Sequence, residues 1–578
     1  MNQKNGEINN IFNNDYNNKK QNEENQKIYN NERCQMKLSL RKKKLNEIIL
    51  DKRKLGIKNM ENENINFGKL IFLNDSITNL ISKIEIKYKE EQKVIEILSK
   101  ISYIIEQKYK NYKEKIISNI YNFTSEDLIN VNLAEKLCNL TQIYMNIPQA
   151  ILYISRILLF SCLIINKDDI NDTNLFFDEK ENFNKSGYFI SSNKYIDIYN
   201  KILELYLNKN YDITSNMVLF IGSIVNEQKT NQKSLYTSGT FKYILESVNM
   251  TNDSKNLLNK KIWCLSKFST HLIYDCNLEI SLKIQKIYLE IFLNQEKYEL
   301  FRDINEKEYD ENNFFFNFMK LIENTACCTE NIFVENLIKS NILEFLMDNS
   351  FNKNPKIIET IIDILMDITY VNSALGKRLI NIGVIRYLKS IITDKSFPAD
   401  LRQASIVPIN NLFAEPNLWK FILFDNKVLE MFYSLLNDPD IKSGILMEIL
   451  SGLNQMLYYY KNEEEEDKLN IILDKYFIIQ LICKAIKQII DTNKIDKIMN
   501  LCFNYFCCFI LYLLANYNDD NLIKKVITRF QNSGGEEIFD LIIHIYSNIN
   551  YEDIKSDDNN KENTLTMINI IKDKIKDL

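Results

Sequence analysis

The residues of this 578-residue chain best placed to do chemistry are polar side chains that return at a fixed interval. Asp367, Asn411 and Asn454 are 44 and 43 residues apart (411 − 367 and 454 − 411), each in an apolar helical phrase. Carboxylates and carboxamides repeated in this way can hold cations and backbone amides. Groups for covalent chemistry are scarce. The two histidines, His271 and His544, stand in helical contexts with no partner at metal-ligand spacing. The sequence shows no phosphate-binding Gly loop and no nucleophile elbow. The 11 cysteines, including the pairs Cys327–Cys328 and Cys507–Cys508, fit no zinc spacing. The expectation is a binding protein and not an enzyme, with no metal and no cofactor.

A second chemical feature is a run of positive charge. Residues 32–59 hold 10 Lys/Arg and 3 Asp/Glu, a local charge of +7, which leaves −12 for the rest of a chain of net charge −5. A cationic arm on an anionic body is the signature of an interaction segment. The sequence pI of 5.6 argues against general nucleic-acid binding. Tyr505 to Ala515, read as the longest apolar run, is too short to span a bilayer. No membrane partner and no direct nucleic-acid partner are therefore expected. The scattered cysteines and the polar, Asn-rich start of the chain suggest reduced, mostly buried thiols.

The elements that position these groups are read from the repeats. Gly and Pro number only 12 and 6, too few for the turns of a sheet-rich protein of this length. One phrase recurs: a helix, a small or polar break, a second helix, then a third. The break falls at Gly239 ("GTFKYILESV"), Asn341 ("NILEFLMDNS"), Gly383 ("GVIRYLKSII") and Lys427 ("KVLEMFYSLL"). The last three are 42 and 44 residues apart (383 − 341 and 427 − 383), a period of armadillo and HEAT repeats. Units of this kind cannot bury their apolar faces alone, so they stack, and their third helices line one long groove. The predicted organisation is a disordered, low-complexity tail over 1–31, the basic segment over 32–59 and a linker over 60–69. An all-α, right-handed superhelical solenoid of about ten armadillo repeats then fills 70–578. Polar insertions at 166–196 and 294–313 are expected to be surface loops.

Over most of residues 85–576 the repeats resemble those of importin-α. That family carries Trp-x-x-x-Asn on many third helices. The resemblance implies that Trp rings flank the stems of Lys and Arg in an extended peptide, Asn amides hold its backbone, and nearby acids take its ammonium heads. Here the ladder is eroded. "KIWCLSKF" keeps Trp263 with Lys267 in the Asn position, "VLFIGSIVNE" has Leu219 and Ser223, and "ILYISRIL" has Leu152 and Arg156. Glu227 stands where the family places the acid for the key lysine. These three repeats correspond to the family's major cargo site. In the repeats of its minor site, "IDILMDIT" has Asp363 and Asp367, "ASIVPINNLF" has Val407 and keeps Asn411, and "ILSGLNQM" has Leu450 and keeps Asn454. Arg156 and Lys267 would repel a cationic peptide, and Pro408 should kink its helix.

The basic segment resembles the importin-β-binding segment of the same family. "LRKKKLNEIILDKRK" holds Arg41, Lys42, Lys43 and Lys44, then Lys52, Arg53 and Lys54, beside an apolar stripe of Leu40, Leu45, Ile48 and Ile49. The resemblance implies that importin-β binds it, and that Lys52-Arg53-Lys54 mimics a localisation signal in the groove. "RFQNSGGEEIFDLIIHIYSNINYEDI" resembles the last importin-α repeat, which implies an export receptor as a further partner. The expected function is a nuclear import adaptor that shuttles between cytoplasm and nucleus and binds cargo proteins with basic localisation signals. The alternative is an armadillo scaffold that has lost such binding.

Overall fold

The computed structural model describes residues 79–81, 83, 90–114, 123, 125–171, 189–190, 193–225, 229–248, 253–272, 278–295, 300–301, 313–326, 331–348, 354–369, 373–415, 417–459, 472–474, 476–492, 497–516, 520–548 and 558–576. The tail, the basic segment and the linker lie outside these residues. Ser76–Leu578 is one compact unit, and its described residues are helical with short turns.

The long third helices form its spine. They are α1 (Glu91–Glu114), α2 (Pro148–Asn171), α3 (Tyr211–Val225), α4 (Lys255–Leu272), α5 (Phe314–Ala326), α6 (Pro355–Ile368), α7 (Val407–Phe413), α8 (Ser443–Tyr459), α9 (Lys497–Asn516) and α10 (Asp558–Lys576). Each packs on the next in unbroken succession. Shorter helices stack behind them in a row of their own: Val384–Thr393 on Val428–Leu436, then Ile478–Thr492, then Gly535–Asn548. The molecule is an armadillo-repeat solenoid.

The composition of α6 shows why the units stack. Pro355 occupies its first turn, and Asn354 caps it by accepting the Lys356 N–H. Behind that start Ile357, Ile358, Ile361, Ile362, Ile364, Leu365 and Ile368 are all buried, and they point to more than one side. A helix apolar on several faces needs a neighbour on each, and every buried Ile or Leu contributes roughly 1.5–3 kcal/mol.

The breaks have one backbone cause. Gly239, Asn341, Gly383 and Lys427 sit at φ 85°, 58°, 101° and 54°, the left-handed region that reverses the chain between the first and second helix. Asn132, Phe477 and Gly534 do the same ahead of Leu133–Tyr144, Ile478–Thr492 and Gly535–Asn548. Gly takes this conformation without strain, whereas Lys427 and Phe477 adopt it at a cost.

Three sequence expectations are corrected. Pro408 does not kink one helix; the chain forms Ala399–Ala404, turns at Ser405-Ile406, and restarts as α7 with Pro408 in its first turn, where the missing N–H costs nothing. The expected loop at 166–196 begins as helix, since α2 runs to Asn171, and its described end is anchored: Phe189 is buried and its carbonyl accepts the Tyr199 hydroxyl at 3.0 Å. The expected loop at 294–313 carries Leu300 and Phe301 into the core, where the Phe301 ring packs on Phe318 at 4.7 Å. Residues 172–188 and 302–312 lie outside the described set. Pro148–Ile165 is long and apolar enough to cross a membrane, but it forms most of α2, packed between α1 and α3 as a core helix.

Candidate peptide groove

Each spine helix from α2 to α9 has a spine neighbour on either side and shorter helices behind it, so one stripe remains open. On α2 it holds Leu152, Arg156 and Phe160; on α4, Lys260, Trp263 and Lys267; on α5, Phe316, Lys320 and Asn324; on α6, Glu359, Asp363 and Asp367; on α8, Met447, Glu448, Ser451 and Gln455. All are half-buried and, apart from the adjacent Met447 and Glu448, spaced three or four residues apart, one helical face. The positions singled out on α2, α4 and α6 thus share the open side of the ladder.

Trp263 lies across the joint between α3 and α4. A methyl group on Gly222 would fall inside its ring, so only glycine lets α3 come this close. The Lys267 ammonium sits 5.7 Å from the centre of the same ring. The cation that an indole face would take from a peptide is thus supplied by the chain itself. Trp419, the second tryptophan, is fully buried.

Ser223 is buried, and its hydroxyl donates to the Leu219 carbonyl one turn back at 2.8 Å. Leu219 is half-buried. Glu227 lies outside the described residues, as do Arg41, Lys42, Lys43, Lys44, Lys52, Arg53 and Lys54.

Asn411 and Asn454 are buried and bind helix to helix. The Asn411 amide donates to the Met366 carbonyl of α6 at 2.7 Å and to the Thr369 hydroxyl at 3.3 Å. The Asn454 amide donates to the Tyr505 carbonyl of α9 at 2.9 Å. Sequence reasoning missed that they belong to a series. Asn216 donates to Ser155 of α2, Asn324 to the Ser266 carbonyl of α4, Asn410 to the Glu448 carbonyl of α8, and Asn504 to Thr564 of α10. A carboxamide thus ties one spine helix to the next at six joints: α2–α3, α4–α5, α6–α7, α7–α8, α8–α9 and α9–α10. A peptide in the groove meets the residues beside these ties more than the amides themselves.

The α3–α4 joint is tied by lysines instead. Lys260 donates to the Ser215 hydroxyl at 2.6 Å. Lys261 has no exposed side-chain surface. Its ammonium reaches Asn208 at 2.6 Å, the Ser247 carbonyl at 2.7 Å and both Asp253 oxygens at 2.9 and 2.8 Å. Burial lowers the pKa of both lysines, and Asp253 opposes the effect at Lys261. Held by a carboxylate and two further acceptors, this buried amine locks the joint.

The described cysteines are free, and all but Cys508 are buried. Burial pushes the Cys138 and Cys483 thiols up to about 12 and Cys508 to about 11. Such thiols are unreactive near neutrality. Among the described residues no three His, Cys, Asp or Glu side chains gather as a metal site. His544 is exposed on Gly535–Asn548.

No family model matches this chain, and no curated protein does. Solved structures match. An engineered protein from the Northeast Structural Genomics Consortium is 9% identical over 87% of this chain and 99% of its own, with a TM-score of 0.57. At that identity the likeness shows the fold alone. A structure from work on a phosphorylation switch between cadherin and β-catenin is 10% identical over 72% of this chain and 65% of its own, at TM-score 0.42. A designed armadillo repeat protein in complex with the peptide (KR)4 is 14% identical over 47% of this chain and 98% of its own, at TM-score 0.33. The last two scores are too low to carry an argument.

Proposed function

We propose that this chain is a nuclear import adaptor of the importin-α kind, with its cargo groove along α6–α8. In this reading residues 32–59 recruit importin-β, the C-terminal repeats meet an export receptor, and the protein shuttles between cytoplasm and nucleus without catalysing a reaction. The observation that carries the cargo reading is the acidic stripe of Glu359, Asp363 and Asp367 on α6, followed by Glu448 on α8. Half-buried carboxylates in step along a groove attract the ammonium and guanidinium heads of an extended basic peptide, and the shielded setting strengthens each contact. The resemblance of "LRKKKLNEIILDKRK" to the importin-β-binding segment supports the transport role.

The test uses the full chain with Lys52, Arg53 and Lys54 changed to Ala, so that the chain's own cluster does not compete. A labelled Lys/Arg-rich signal peptide is expected to bind it, and adding Asp363→Lys and Asp367→Lys should weaken binding at least ~10-fold, about 1.4 kcal/mol. Binding that ignores both aspartates, or none at all, would remove the cargo reading. A second reading, a scaffold without classical signal binding, is favoured by Lys267 over Trp263. Under it the peptide fails to bind while importin-β still captures the chain.

A further inference from the structure

The groove changes sign along its length. On α2, α4 and α5 the open stripe holds Arg156, Lys260, Lys267 and Lys320. Among the described residues, the exposed Asp212 at the start of α3 is close enough to act on Lys260, and Glu323 is buried beside Lys320 at 2.5 Å. On α6–α8 the same stripe holds Glu359, Asp363, Asp367 and Glu448.

The lysines of the cationic stretch share a second feature. Each ammonium lies near the face of an aromatic ring on the ladder: Lys260 is 5.8 Å from the centre of Tyr211, Lys267 is 5.7 Å from Trp263, and Lys320 is 5.9 Å from Phe316. All fall within the range of cation–π attraction. The contact holds a flexible side chain near one position, so less entropy is lost when an anion arrives. It also fills the ring face that a ligand's own lysine would need.

We propose that the α2–α5 stretch is a docking surface for an extended acidic peptide, whose carboxylates pair with Arg156, Lys260 and Lys267 above the aromatic rings. Lys320, already paired with Glu323, marks the far edge. Spine helices stand about 8–10 Å apart and an extended chain rises about 3.3 Å per residue, so three helix-to-helix steps take roughly seven to nine residues. Charge complementarity selects the occupant: a basic peptide is repelled here and a neutral one gains no ion pair. The proposal is independent of the import reading and survives its failure.

The experiment measures fluorescence anisotropy of a labelled Asp/Glu-rich peptide of that length with the full chain. Binding is expected, weakened at least tenfold by Arg156→Glu with Lys267→Glu, while circular dichroism and melting temperature stay put. Lys267→Gln, a gentler change, should weaken it several-fold and guards against misfolding of the double variant. Changing Arg41, Lys42, Lys43 and Lys44 to Ala should leave the affinity unaltered. The proposal is overturned if the peptide does not bind, if it follows the N-terminal lysines and ignores Arg156 and Lys267, or if a single-stranded oligonucleotide of equal charge binds more tightly.

Discussion

Arg156 on α2 and Asp367 on α6 belong to the same open stripe of the ladder, one side chain cationic and the other anionic. The half of the groove built on α2–α5 presents lysines held at aromatic rings; the half on α6–α8 presents carboxylates. Behind both stripes the architecture is alike, since the same kind of carboxamide tie joins α2 to α3, α4 to α5 and α8 to α9. The fold is thus set by what lies between the spine helices, and the binding preference by a single row of half-buried residues on top. The row can change sign without disturbing the stack. At one joint the division fails: between α3 and α4 lysines do both jobs, Lys261 locking the stack and Lys267 facing the groove.

That joint is where the comparison breaks most easily. Lys261→Ala leaves Asp253 buried without its cation and should destabilise the protein by about 3–5 kcal/mol, measured by urea unfolding. Asn411→Ala in the other half removes one tie and leaves its acceptors dry, for about 1–3 kcal/mol in the same assay. Gly222→Ala forces the Trp263 ring off α3, at about 1–3 kcal/mol, with a shift in tryptophan emission because the buried Trp419 stays unchanged.

Alkaline titration should affect both halves, because it acts on the core. The folded thiols Cys138, in the first half, and Cys483, in the second, are raised to about 12 from an ordinary 9.0. The folded state keeps protons that the unfolded state sheds, so their contribution is complete below pH 9 and declines as pH rises from there towards 12. Unfolding midpoints should fall across that window, and Cys138→Ala with Cys483→Ala should flatten the decline. The smallest change expected is Lys427→Gly, which relieves a left-handed lysine and should raise stability by about 1 kcal/mol.

Much of the stack was legible in the sequence because its signals are local. Gly239 and Gly383 announce left-handed turns, and the steps from Asp367 to Asn411 and Asn454 track successive spine helices. Asn341 and Lys427 carry no glycine and stand out through the repeat period; Asn132 and Phe477 make the same turn without glycine, and the period does not pick them out. Phe189 lies in a short triplet, Tyr188-Phe189-Ile190, and Leu300-Phe301 is a pair, each inside a polar run, and only the fold reveals that Phe189, Leu300 and Phe301 reach the core. Proline at 408 is compatible with a kink or a restart; the turn at Ser405-Ile406 decides it. The site was legible in position and less so in role. The spacing puts Trp263 and Asn411 on the ladder, but whether a side chain meets a ligand or its own neighbours depends on the approach of adjacent helices. Gly222 and Met366 are 41 and 45 residues from the partners they meet (263 − 222 and 411 − 366), too far for any local pattern to pair them.

The most direct test of the two-sided groove is a competition between its two predicted ligands. The full chain, with Lys52, Arg53 and Lys54 changed to Ala, is saturated with a labelled Asp/Glu-rich peptide and then titrated with an unlabelled Lys/Arg-rich peptide, each peptide short enough to fit one half. A two-sided groove predicts that both remain bound, with the acidic peptide sensitive to Lys267→Glu and the basic one to Asp367→Lys. Mutual displacement by peptides that do not bind each other, or sensitivity of both to the same substitution, would contradict it.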